Sequence, residues 1–152
     1  MKRKPKEKRH MWWIIILIIG LAIIIALGVV LLMDGPSRQE AMQLAFAPID
    51  FSHLKDGTYR GEYRGTKSHL RDTQVEVLVK EGNVVSVMIL KGAVDAQGKP
   101  VKLTGNKTLQ EVFSQVLQTK SLEVDAISGA TITTKTHLKA LEQALLKAEA
   151  TD

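Results

Sequence analysis

The sequence predicts an α+β domain, a small antiparallel sheet with two packed helices, preceded by one transmembrane helix. Three observations point to it. Residues 11–33 form an uncharged apolar run, two valine-rich segments alternate on either side of Glu81-Gly82-Asn83, and apolar residues return at three- and four-residue spacing in two later stretches. The chain has 152 residues, and what remains beyond a spanning segment is the size of one ordinary domain.

Residues 1–10 are a basic tail, with Lys2, Arg3, Lys4, Lys6, Lys8 and Arg9 against Glu7. The formal net charge of +5 lies entirely there, because the rest of the chain carries 15 basic and 15 acidic residues. A nucleic-acid-binding face needs a concentrated positive patch in the folded domain, so no nucleic-acid partner is expected. Residues 11–33 reach about 34 Å as a helix, enough for a hydrocarbon core of about 30 Å. The expected partner of this segment is the lipid bilayer. Trp12 and Trp13 at its N-terminal edge suit the headgroup zone. Six basic residues precede the span and only Arg38 follows closely, so the positive-inside rule places the tail in the cytoplasm and the C-terminal domain outside it. The expectation is a single-pass protein of the cell membrane. A cleaved signal peptide has a shorter apolar core, about 7 to 15 residues, with small residues directly after it. Here Asp34-Gly35-Pro36 follows, and Ala45-Phe46-Ala47 lies too far downstream.

Residues 34–55 mix Gly35, Pro36 and Pro48 with a short helix-compatible stretch, in which Met42 and Phe46 could lean on the domain or the bilayer; they read as a stalk. The domain is expected over residues 56–149. It opens on a strand at Asp56-Gly57-Thr58-Tyr59-Arg60-Gly61, alternating toward Tyr63. A hairpin follows, with Val75, Val77 and Val79 on one face of its first strand and Val85, Val87 and Ile89 on one face of its second. Gly92, Gly98 and Pro100 mark a loop. Leu109, Val112, Phe113, Val116 and Leu117 lie on one helical face, in a helix ending near Lys120. Residues 122–127 read as a short strand, and Leu138, Leu141, Leu145 and Ala148 form the stripe of a last helix.

Cysteine is absent, which removes disulfides, thiolate-ligated iron–sulfur clusters and Cys-attached haem. His53, His69 and His137 are scattered, without a paired carboxylate at metal-ligand spacing, so they read as solvated histidines and no metal site is expected. Neither a G-x-S-x-G elbow nor a G-x-G-x-x-G phosphate loop occurs in the domain.

Between the last expected strand and the last helix stands Val124-Asp125-Ala126-Ile127-Ser128-Gly129-Ala130-Thr131-Ile132-Thr133-Thr134. Gly129 lets the backbone turn sharply and a bulky group approach closely. The helix start beyond it offers unpaired N–H groups and a positive dipole end, which suit a phosphate. The same residues are also ordinary loop and N-cap chemistry, and Thr131, Thr133 or Thr134 could cap the helix. The segment resembles the signature of the FMN-binding domain family, found in the C subunit of the sodium-translocating NADH:quinone oxidoreductase and the G subunit of Rnf complexes. The resemblance extends over residues 56–149, through the opening strand, the hairpin and the closing Ala/Leu helix. It implies covalent FMN, joined through its phosphate by a separate flavin transferase to the hydroxyl of Thr131, with Thr133 as the second choice. Ser128, Gly129 and Ala130 would support the attachment, and Asp125 would be read by the transferase or brace the turn. Tyr59, Tyr63 and Phe113 are open to two readings, stacking on the flavin ring or core packing.

The function this implies is a membrane-anchored, extracytoplasmic flavoprotein that relays electrons from a membrane donor to an outer acceptor, a carrier more than a stand-alone oxidoreductase and without a catalytic residue of its own. The alternatives are a flavinylated subunit of a multi-subunit respiratory complex and a membrane-anchored binding or sensor module without flavin.

Overall fold

A computed structural model describes residues 7–149; residues 1–6 and 150–152, and with them most of the basic tail, lie outside the described residues. The chain divides into two units, Met1–Pro36 and Ser37–Asp152. Most of helix α1 (Glu7–Met42) lies in the first, where Trp12, Trp13 and the Ile and Leu side chains from Ile14 to Leu27 are exposed. It is the one helix among the described residues that is long and apolar enough to cross a membrane, with a mean hydropathy of 3.5 over an 18-residue stretch.

Helix α1 does not stop at the expected end of the span but continues past Pro36 to Met42. Tertiary contacts hold its last turns within the second unit. Ser37 and Ala41 are buried there, Arg71 donates to Ser37 Oγ, and the Glu40 carboxylate accepts from the N–H groups of Thr66 (2.8 Å) and Lys67 (3.2 Å). Those amides, Thr66 foremost, hold the Glu40 carboxyl below the usual carboxylate range.

The second unit is built on a three-stranded antiparallel sheet of β1 (Gly57–Tyr63), β2 (Thr73–Lys80) and β3 (Asn83–Lys91), in the order β1-β2-β3. Glu81 and Gly82 make the β2–β3 turn with φ of 53° and 71°, the left-handed pair that a two-residue hairpin needs. Asp56 accepts from Gly82 N–H at 2.9 Å, so the residue expected to open β1 also holds the neighbouring turn. Val75, Val77 and Val79 are buried as expected, but β3 departs from strict alternation. Its register with β2 shifts at Leu78/Val79, where a bulge carries Val85 out to solvent and leaves Val84 half-buried beside buried Val87 and Ile89.

Helix α2 (Leu109–Thr119) starts at a capping box between Thr108 and Glu111 and ends at Lys120 in the left-handed conformation. Its Leu109, Val112, Phe113 and Val116 are buried. Residues 122–127 do not form the expected strand. Val124 N–H turns back to Leu122 O (3.0 Å) and Ile127 N–H is taken by Thr134 Oγ1 (3.3 Å), which leaves no ladder to build.

Helix α3 (Thr131–Glu149) packs its Leu138, Leu141, Leu145 and Ala148 into the core. Gly61 lets it lie directly on β1, since a Cβ there would strike Ala140 O and Ala144 N. The opposite side of α3 is covered as well, by residues that follow α1. Lys135 Nζ donates to Met42 O (2.6 Å), Lys139 Nζ to Ala45 O (3.0 Å), Ala47 N–H to Glu142 Oε1 (2.5 Å) and Asp50 N–H to Glu149 Oε1 (2.8 Å). Phe51 and Leu54 are buried, and Lys120 Nζ sits 5.7 Å above the Phe51 ring. From Ser37 onward, the segment expected as a stalk is therefore a strap bound to the domain.

Candidate functional site

The turn before α3 is closed by Ala130 N–H donating to Ile127 O (2.9 Å), with Gly129 at φ 77°, a conformation that glycine adopts without strain. A Cβ on Gly129 would lie 3.0 Å from Thr104 Oγ1, so glycine is also needed for that close approach. The three threonine hydroxyls expected to compete for the cap separate clearly. Thr134 is fully buried; its Oγ1 donates to Ala130 O (3.0 Å) and accepts from Ile127 N–H (3.3 Å), so it ties the turn to the helix. Thr131 and Thr133 are half-buried, and neither hydroxyl has a protein partner among the described residues.

Both line a cleft of about 640 Å³, a size ordinary for small-molecule sites. Gly129, Ala130, Thr131, Ile132 and Thr133 form its floor together with Thr136 and His137. One wall consists of Gly92, Ala93, Val101 and Leu103, and the other of Arg38, Met42, Leu70 and Arg71. Of the expected site residues, the structure thus brings together Gly129, Ala130, Thr131 and Thr133. Ser128 and Asp125 are exposed and do not line the cleft, and Asp125 makes no hydrogen bond to the turn.

His53 and His69 are solvated as expected, with side chains 81% and 77% exposed, but His137 is buried. Its Nε2 accepts from Ala93 N–H at 3.1 Å, which leaves the proton on Nδ1 to donate to Thr133 O at 2.7 Å. Burial holds the imidazole neutral, with its pKa lowered to about 4 despite the carbonyl beside it. Gly92, at φ 122°, makes room for this ring, which a Cβ would strike. His137 therefore joins the loop after β3 to the first turn of α3. Tyr63 and Phe113 belong to the core, Tyr59 donates to Lys55 O (3.1 Å), and none of the three lines the cleft. No group of three or more metal-ligating side chains occurs among the described residues.

The cleft fits a phosphate-bearing ligand with an apolar body. Two guanidinium groups line it, the N–H groups of residues 131–133 open α3, and Val101, Leu103, Met42 and Leu70 supply apolar surface. Arg38, Leu70, Arg71, Val101 and Leu103 carried no site signal in the sequence, since only the folded chain gathers them.

No curated protein matches the chain. Among solved structures, the crystal structure of the CPE2226 protein from Clostridium perfringens is similar with a TM-score of 0.43 and 19% identity, over 63% of this chain and 89% of that one. A likeness that low bears on neither fold nor site. The model of the FMN-binding domain family matches residues 70–146, which take in β2, β3, α2, the turn at Gly129 and nearly all of α3. That match spans half of the chain and includes the whole floor of the cleft, and the chain belongs to the FMN-binding domain family.

Proposed function

We propose that this protein is a membrane-anchored flavoprotein that carries FMN covalently, as a phosphoester of Thr131, and relays electrons from a membrane donor to an extracytoplasmic acceptor. The observation that carries the reading is the Thr131 hydroxyl, set on the first residue of α3 in a residue that lines the cleft, and without a protein partner among the described residues. Around it, the Gly129 turn and the first N–H groups of α3 would hold the phosphoester, with Thr133 two residues further along the helix. Bound FMN supplies the electron transfer; the chain binds, orients and retains it.

The chain does not supply the base for its own loading. His137 lines the same cleft, but its Nε2 is held by Ala93 N–H and its Nδ1–H by Thr133 O. An unaided threonine hydroxyl is a poor nucleophile. A separate flavin transferase fits this arrangement, acting on a flavin dinucleotide whose phosphoanhydride bond breaks as the Thr131 ester forms, with the nucleoside monophosphate leaving and the hydroxyl proton taken by the transferase; exposed Asp125 and Ser128 beside the turn are within its reach. An ester keeps the cofactor at fixed effective concentration where a dissociated FMN would be lost. The span of α1 and the basic tail ahead of it support the outward placement.

The test is co-expression of the full chain with a flavin transferase, read by intact mass and in-gel ultraviolet fluorescence. Wild-type protein and Thr133→Val should carry the adduct and Thr131→Val should not. Unmodified, colourless wild type would refute the flavin reading, and an adduct lost only in Thr133→Val would move the site.

A further inference from the structure

We infer that the end of the anchor helix is itself part of the cofactor site: Met42, with Leu70, covers one face of the flavin ring, and Arg38 supplies positive charge beside it. The inference rests on the flavin reading above and says which of the chain's residues complete the site. Arg38 and Met42 lie outside the region that the family model matches, yet they line the same cleft as Thr131. Among the described residues of the second unit, large exposed apolar side chains are few, namely Met42 (54%), Leu70 (82%), Val85 and Met88. Two of these four share one wall of the cleft, as expected where a flat apolar ligand is to be covered. The same wall brings Arg38 to the cleft, whose lining residues include no Asp or Glu, and this favours an anionic ligand. Reduced flavin loses a ring proton readily and is then anionic, so a cation there favours the reduced form.

This wall is held in place before any ligand arrives. Arg71 bonds Ser37, Glu40 accepts from Thr66 and Lys67, and Lys135 Nζ holds Met42 O. A soluble fragment beginning at residue 56 would keep Thr131 and lose half of this wall.

The experiment uses the full chain in detergent, loaded by co-expression with a flavin transferase, and compares Met42→Ser, Leu70→Ser and Arg38→Gln with wild type and with the distant Met88→Ser. Pockets bury about 70–90% of such ligands, so opening one ring face should raise quenching of flavin fluorescence by acrylamide roughly twofold in Met42→Ser and Leu70→Ser. Met88→Ser should quench as wild type does, and Arg38→Gln should shift the midpoint potential to more negative values. Fully loaded variants whose quenching and potential equal those of wild type would overturn the inference and leave Thr131 flavinylation standing. A wild-type chain without adduct would overturn both. If Met42→Ser or Leu70→Ser fails to load, the apolar replacements Met42→Leu and Leu70→Met decide: restored loading supports a covering wall, and persistent loss refutes it.

Discussion

From Thr131 to His137, α3 reads Thr, Ile, Thr, Thr, Lys, Thr, His; from Leu138 to Ala148 it is mostly Leu, Ala, Lys and Glu. The second half is built of strong helix formers and buries Leu138, Leu141, Ala144 and Leu145 between sheet and strap. The first half is built of poor helix formers whose side chains bond backbone groups or face the cleft. Local propensity is given up where the site is and kept where the packing is, as expected when a helix both carries a site and anchors a core. If the division is right, substitutions in the second half should act on stability, and those at Thr131 on cofactor loading alone.

The largest effect should come from the packing half. Leu141→Ala removes a fully buried side chain and should lower stability by about 2–5 kcal/mol in urea unfolding. A loss below about 1 kcal/mol would mean that α3 is not the helix around which the domain packs.

Next is the boundary between the halves. Burial lowers the His137 pKa to about 4 in the folded state, below the 6.5 of an ordinary imidazole, so the unfolded chain binds the extra proton between those values. Stability should therefore rise with pH from 4 to 6.5 and be lost as pH falls through that window, by on the order of 3 kcal/mol in all. Urea midpoints measured across the window should show that slope in the wild type and lose it in His137→Gln. An equal slope in both would place the titration elsewhere.

The strap should respond more weakly. Glu142 is buried, accepts from Ala47 N–H and lies 2.5 Å from Lys139 Nζ. Glu142→Ala leaves both partners short and should cost about 1–3 kcal/mol, with hydrogen exchange accelerated around Ala45–Ala47 before the sheet is affected. Uniform exchange would mean that the strap and the sheet open as one.

Thr131→Val should change least in stability. Its hydroxyl bonds no protein group among the described residues, so the unfolding midpoint should stay within about 0.5 kcal/mol of wild type while the flavin adduct is lost. Large destabilisation would make Thr131 a helix cap instead.

The elements written in local periodicity were legible in the sequence: the hairpin around Glu81–Gly82, the α2 face through Leu109 and Phe113, and the Leu138–Ala148 stripe. The outward turn of Val85 was not, because a bulge is a property of the pair of strands and not of one. The strap was not legible either. Its bonds join backbone groups near Ala45 and Ala47 to side chains 94 and 95 residues away, and no local pattern records such distances. His137 looked like a solvated residue because the contact that buries it comes from Gly92 and Ala93, far away in the chain. At the cleft, the segment from Gly129 to Thr133 could be read from one stretch of sequence, whereas the wall of Arg38, Met42, Leu70 and Arg71 exists only after folding.

The central claim is that the unpartnered Thr131 hydroxyl carries the flavin. The most direct measurement is fragmentation mass spectrometry of the tryptic peptide spanning residues 121–135, taken from chain co-expressed with a flavin transferase, since it separates Thr131, Thr133 and Thr134 in one spectrum. FMN on Thr131 alone is the predicted result; FMN on either of the other two, or an unmodified peptide, would contradict it.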